Sequence, residues 1–253
     1  MTNPVFGYQS HYRDGGTVTS STSPAATPRD NATDWRFDDY WQPTAGTSHW
    51  LEVDAGSAVS ADYFAFYSSD LYAQAGAQVQ LTAGAAPAPA AVQGTINPTT
   101  AGPKLLRFTS ASFRYWRLTF STTGSFAPKI QIANVGAQLE LEQGARPGFV
   151  PPKLAPANKP QTNISEQGFF IGRSLKLAPA DFRLPTTILT PAWVRANWPA
   201  LLAHIESYPF FLLPEPDTYA DEAVIAWTKG AISAPRYSHA QFMSLDLNLT
   251  ALI

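Results

Sequence analysis

The chain has 253 residues and 27.4 kDa, with 17 Lys and Arg against 19 Asp and Glu for a formal charge of −2, and only 14% of its residues are charged. That balance leaves no basic stripe to neutralise phosphates, so no nucleic acid partner is expected. The absence of cysteine excludes disulfides, thiolate metal sites, iron–sulfur clusters and cysteine nucleophiles together. With 45% hydrophobic and 13% aromatic residues the chain reads as folded, with room for one large or two ordinary domains.

Residues 1–16 are polar, with neither a basic start nor an apolar stretch, so no secretory signal is expected, and no apolar run approaches the ~20 residues of a membrane span. Short strands follow up to residue 150. Leu51 and Val53 alternate with polar neighbours, as do Val79 and Leu81, then Trp116, Leu118 and Phe120, then Ile130 and Ile132, and finally Leu139 and Leu141. Period two places each apolar set on one face of a half-buried sheet, and many short strands in series predict a sandwich or barrel. Between them, 83–103 is rich in Ala, Pro and Gly and reads as an exposed loop.

Residues 147–160 are crowded with proline, which lacks a donor and favours extended backbone; this places a linker at 151–163 between domains at 1–150 and 164–253. Beyond it the pattern becomes mixed α and β. Thr190-Pro191 is an N-cap followed by an N1 proline, and Val194, Trp198, Leu201 and Ile205 recur at helical spacing. Pro199 removes the bond back to Arg195 and predicts a kink or two short helices. Strands are expected at Leu175 and Leu177, at 210–213, at 223–227 and at Leu245, Leu247 and Leu249, the last being an alternating terminal strand that must find a partner in its own sheet or on a neighbouring chain and that is expected to serve as a docking edge.

The four histidines, His11, His49, His204 and His239, form no i, i+4 pair and no HExxH arrangement, so neither a metal site nor a cofactor is expected. No Gly-x-Ser-x-Gly elbow and no phosphate-cradling loop occurs. Asp38 and Asp39, or Asp217, Asp221 and Glu222, could supply paired carboxylates for glycoside cleavage, though solvated loop acids are the plainer reading and no enzyme is expected. The segment from Trp35 to Trp41 packs four aromatics among three charges. Trp35 is assigned to the core. Asp38, Tyr40 and Trp41 are the candidate ligand-binding residues, because aromatic faces cover a pyranose while carboxylates bond its hydroxyls; exposed aromatics serve protein interfaces equally well.

Two family resemblances appear. Ala32-Thr33-Asp34-Trp35, His49-Trp50-Leu51-Glu52-Val53-Asp54-Ala55-Gly56 and Arg114-Tyr115-Trp116-Arg117-Leu118 resemble the turn, the W-L-x-V-D-L-G strand and the late R-Y-x-R-I strand of discoidin-like, galactose-binding-like jelly rolls. Ala55 replaces the signature leucine, and the matching positions are mostly core and turn, so this resemblance implies a fold more than a ligand. Ala137-Gln138-Leu139-Glu140-Leu141-Glu142 with Ala145 and Phe149 is similar to a closing strand on jelly rolls of phage tail and fibre proteins, and the segments at 208–214 and 219–227 resemble strands of tail-tip proteins.

The combined expectation is a mainly β protein, with an N-terminal jelly-roll β-sandwich followed by a smaller α+β tail-assembly domain. As the resemblance implies, it would be a structural component of a phage tail tip or baseplate, located in the virion tail and assembled in the host bacterial cytoplasm. Its partners would be other tail-tip proteins in a homo-oligomeric ring and, at the host surface, a glycan. The alternative is a carbohydrate-binding adhesion module recognising bacterial surface glycan.

Overall fold

The computed structural model describes residues 3–147, 149–154, 159–176, 179–239 and 241–253. In chain order the N-terminal half gives β1 (Val5–Gly7), a single-turn α1 (His11–Asp14), β2 (Thr17–Ser20), β3 (Gly46–Ser68), β4 (Gln78–Gly84), β5 (Ala91–Ile96), β6 (Lys104–Phe126), β7 (Ile130–Gly136) and β8 (Leu139–Glu140). The C-terminal half gives β9 (Lys159–Ile164), β10 (Phe170–Lys176), β11 (Ala180–Leu189), α2 (Pro191–Ile205), β12 (Phe210–Leu213), β13 (Val224–Thr228), β14 (Arg236–His239) and β15 (Phe242–Leu252). The protein is mainly β, with antiparallel pairing throughout the described ladders. No helix of the described residues is long and apolar enough to cross a membrane.

The sandwich grows from two 23-residue strands, β3 and β6, paired along most of their length. Register shifts after Asp54 and Ala61 break the ladder, and such bulges bend a strand. The first part of β3 therefore pairs with β2, and its last part pairs with β7. Leu51 and Val53, Phe64 and Phe66, Val79 and Leu81, and Trp116, Leu118 and Phe120 share one buried apolar core. On the opposite side of β3, Glu52 is buried too. It is held by Arg117 Nε at 2.8 Å and by the Ala88 amide at 3.0 Å, while the Arg117 guanidinium lies 4.2 Å from the Trp50 ring centre.

The second sheet runs β11-β15-β13-β12-β1-β8, with β14 also on β15. Its strand β12 is buried on both faces. Phe210 and Leu212 join Val194, Leu201 and Ile205 of α2 in one core, whereas Phe211 and Leu213 meet Tyr63 and Ala65 of β3, Leu105 of β6 and Ile132 of β7 in another. Helix, sheet and sandwich are thus stacked on continuous apolar contacts. The Tyr63 hydroxyl donates to the Gln9 carbonyl at 2.6 Å, and the Arg13 guanidinium lies 3.5 Å from the Tyr208 ring centre. A Cβ on Gly136 would fall 2.2 Å from the Gln9 carbonyl oxygen, so the crossing of β7 over this segment admits only glycine.

Several expectations change. The second sheet reaches across residue 150, because β1 pairs with β12 on one side and with β8 on the other; a separate α+β domain is not shown. The closing-strand motif accordingly closes the second sheet and not the sandwich. Within the expected 151–163 linker, Pro152–Leu154 is a 3-10 turn and β9 begins at Lys159, while 155–158 lie outside the described residues. The 83–103 loop contains β5, a strand on the edge of β4; its apolar positions Val92 and Ile96 are separated by Gly94, and the surrounding Ala, Pro and Gly hid so short an alternation. Leu175 falls in β10 and Leu177 lies outside the described residues. Helix α2 is one helix through Pro199, capped by the Thr190 side chain accepting from the Trp193 amide. Finally, β15 is no free edge: it is interior, paired with β11, β13 and β14.

Candidate functional site

The start of β6 and the end of β5 form one wall of a cleft of about 800 Å³, and the 214–221 loop after β12 forms the other. That loop is held in turns by the Glu215 carbonyl, which accepts from the Tyr219 amide at 2.8 Å. Ile96, Leu106 and Phe108 line the cleft while packing against the sandwich core, so the apolar part of its lining is anchored. Hydroxyls and amides of Thr95, Asn97, Thr100, Thr109 and Gln138 supply the polar part. The volume falls in the range of roughly 300–1,000 Å³ common for small-molecule sites, and the mixture of one aromatic face with several directed polar groups is typical of them.

Four charged side chains line the same cleft: Lys104, Arg107, Asp217 and Asp221. Arg107 is neutralised, with Nη2 2.7 Å from Glu140 Oε2 and Nη1 3.4 Å from Asp217 Oδ1. Lys104 is only 7% exposed, and its Nζ donates to Thr100 Oγ1 at 2.8 Å. No carboxylate of the described residues comes within 4.0 Å of it. Burial pushes the Lys104 ammonium below its usual range; the charge on Lys153 adds to this and Asp221 opposes it. Lys153 itself donates to the Asp221 carbonyl. The backbone N–H of Gln138 donates to Asp62 Oδ1 at 2.7 Å, while its buried side-chain Oε1 has no hydrogen-bond partner.

The sequence-predicted residues stand elsewhere, for none of Asp38, Tyr40 and Trp41 lines this cleft. Trp41 is fully buried, its indole N–H donating to the Thr22 carbonyl at 2.8 Å and its backbone exchanging two 2.9 Å bonds with Ile130. It is a sandwich anchor with no free face for a ligand. Asp38 is exposed, and Tyr40 is half-buried, with the Lys129 ammonium 5.2 Å from its ring centre. Trp35 is buried, as expected, but between the sandwich and the second sheet, against His204 and Phe211. Of the acidic candidates, Asp217 and Asp221 are brought into the cleft and Asp38 and Asp39 are not. Lys104 and Gln138 escaped the sequence reading. The one available signal was a lysine opening the otherwise apolar run Leu105-Leu106, where its chain must lie along buried surface.

His204 Nε2 donates to the Pro209 carbonyl at 2.9 Å, and its ring sits against Tyr8, Trp35 and Tyr208. Burial pushes its pKa down. His49 is likewise a structural tie, donating to the Phe126 carbonyl at 2.8 Å. Among the described residues no group of three or more His, Asp or Glu is placed to hold a metal ion.

No family model matches the chain, and no curated protein matches it. Solved structures similar to part of it include chitosan-binding module 1 of a chitosanase/glucanase from Paenibacillus sp. IK-5, at 16% identity over 50% of this chain and 98% of that one, with a TM-score of 0.43. A second is the CBM32 of AlyQ in complex with 4,5-unsaturated mannuronic acid, at 20% identity over 49% and 95% of the two chains and a TM-score of 0.41. A third, CpGH89CBM32-5 from Clostridium perfringens in complex with GalNAc-β-1,3-galactose, shows 14% identity over 48% and 94%, with a TM-score of 0.41. All three are carbohydrate-binding modules, and no comparison places the chain among phage tail proteins.

Proposed function

We propose that the chain is a non-catalytic structural subunit of a phage or phage-like tail tip or baseplate, which joins copies of itself and other tail-tip proteins in a ring through the β9–β10 hairpin and turns its cleft toward host-surface glycan. The observation that carries assembly is the hairpin tip. Ile164, Phe169, Phe170 and Ile171 are 62–69% exposed there, and Leu154 is the only large apolar side chain of the described residues more exposed than they are. Among the described residues the two strands pair only with each other, around a turn in which Gly168 takes φ +83° and the Ser165 hydroxyl accepts from the Phe169 amide at 3.0 Å.

An isolated two-stranded hairpin is marginal in water, and clustered exposed aromatics are the chemistry of a covered interface. The tail setting rests on the resemblance at 137–149, 208–214 and 219–227, segments that supply β8, β12 and β13. A second reading, a carbohydrate-binding adhesion module working alone, is favoured by the cleft with its aromatic face and its hydroxyl and amide lining.

Sedimentation velocity on the full chain tests the first reading. The wild type is expected to be monomeric when dilute and to associate into a closed species as concentration rises. The triple variant Phe169→Ser, Phe170→Ser, Ile171→Thr is expected to stay monomeric with an unchanged thermal melt. Association undiminished in the variant would move the contact to another surface and leave the adhesion reading as the better one.

A further inference from the structure

We propose that the cleft between the sandwich and the 214–221 loop selects an acidic saccharide, with Lys104 as the group that takes its carboxylate. This deepens the glycan-facing part of the function proposed above and rests on it. A desolvated ammonium is costly unless an anion or a full set of acceptors meets it. Lys104 has three donors, and Thr100 Oγ1 at 2.8 Å engages one of them. The neighbouring cation Arg107 already has Glu140 and Asp217 in contact, whereas Lys104 meets no carboxylate of the described residues within 4.0 Å and Asp221 acts on it only from farther off. An incoming carboxylate would complete a short, charge-assisted contact in a place where water screens it little.

The other groups narrow the ligand. Gln138 Oε1 is buried without a partner and can only accept, so it calls for a hydroxyl or amide donor that a bare inorganic anion does not bring. Asp217 and Asp221 on the opposite wall are acceptors as well, and they would repel a multiply charged phosphate or sulfate chain. Phe108 and Leu106 offer the apolar surface on which the C–H face of a sugar ring rests. One carboxylate, several hydroxyl donors and an apolar face describe a uronic-acid-type sugar within a short oligosaccharide.

Isothermal titration of the full chain with an α-1,4-linked galactose trisaccharide carrying a single galacturonate unit, and with the neutral trigalactose of the same linkage, tests this. The acidic trisaccharide is expected to bind roughly tenfold to a hundredfold more tightly, the scale of one charge-assisted hydrogen bond. Lys104→Met is expected to erase that preference with the thermal melt preserved, and Lys104→Arg to retain most of it. Gln138→Leu should weaken both sugars alike and leave the preference standing. Equal binding of the two sugars by the wild type, or a preference that survives Lys104→Met, overturns the role of Lys104 while leaving glycan contact intact. Binding of neither sugar overturns both this inference and the glycan-facing half of the proposed function. Should Lys104→Met fail to fold, the wild-type comparison decides by itself.

Discussion

Replacing Trp35 by alanine is expected to cost about 3–5 kcal/mol, the range for truncating a buried aromatic, and to lower the stability of sandwich and second sheet together. The indole is 4% exposed and lies 5.4 Å from the His204 ring, edge-on, and 5.6 Å from the Phe211 ring, in the cluster that also holds Tyr63, Leu105 and Ile225. It hangs from a sandwich loop and fills space on the sheet side, so its loss opens a void that neither layer can close alone. Its backbone adds a second term. Trp35 holds φ +67°, with Asp34 Oδ1 accepting from the Arg36 amide at 2.9 Å to fix the turn, and an L-residue pays roughly 1–2 kcal/mol there that glycine does not. Trp35→Gly should therefore be more stable than Trp35→Ala by about 1 kcal/mol. Urea unfolding followed by far-ultraviolet circular dichroism should give one transition for the wild type and one, at lower urea, for each variant. Two transitions with only one of them displaced would show that the layers unfold independently.

Deleting 243–253 is expected to abolish the folded state of the second sheet altogether. The deletion takes out β15, to which β11, β13 and β14 are all paired, and with it the buried side chains of Leu245, Leu247, Leu249 and Ala251. Buried leucines are worth about 2–5 kcal/mol each against alanine, and the whole stability of a domain is about 5–15 kcal/mol. The loss exceeds what the sheet can bear, and the sandwich loses the layer that covers Tyr63 and Ala65. Truncated protein should be insoluble or show collapsed amide dispersion by NMR. A truncated chain that melts like the full one would mean that β15 is dispensable, as an edge-docking strand would be.

That reversal shows what a sequence pattern carries and what it leaves out. Alternation at Leu245, Leu247 and Leu249 correctly marked a strand with one apolar face, but alternation is identical for an edge and an interior strand, since hydrogen-bond partners leave no trace in side-chain period. The core strands around Leu51, Val79, Trp116 and Ile130 were legible because each has one wet face. Tyr63-Phe64-Ala65-Phe66 was less so: it is covered on both faces, by the sandwich core and by β12, and reads as an unpunctuated apolar run. The 147–160 prolines marked a change of pattern, yet the sheet is shared across them by β1 and β8, a long-range pairing invisible to local composition. The site was the least legible part. Aromatic density drew attention to Tyr40 and Trp41, but Trp41 spends its indole on the sandwich interior, whereas the cleft is assembled from Lys104, Gln138 and Asp217, more than thirty residues apart in sequence and unremarkable one by one.

In the proposed assembly another chain covers the hairpin tip. Electron cryo-microscopy of an assembled tail particle containing the full chain tests it most directly. A ring is expected in which Phe169, Phe170 and Ile171 of each subunit are buried against a neighbouring copy. A particle in which the chain is present at full occupancy with those side chains in solvent would overturn the proposed assembly.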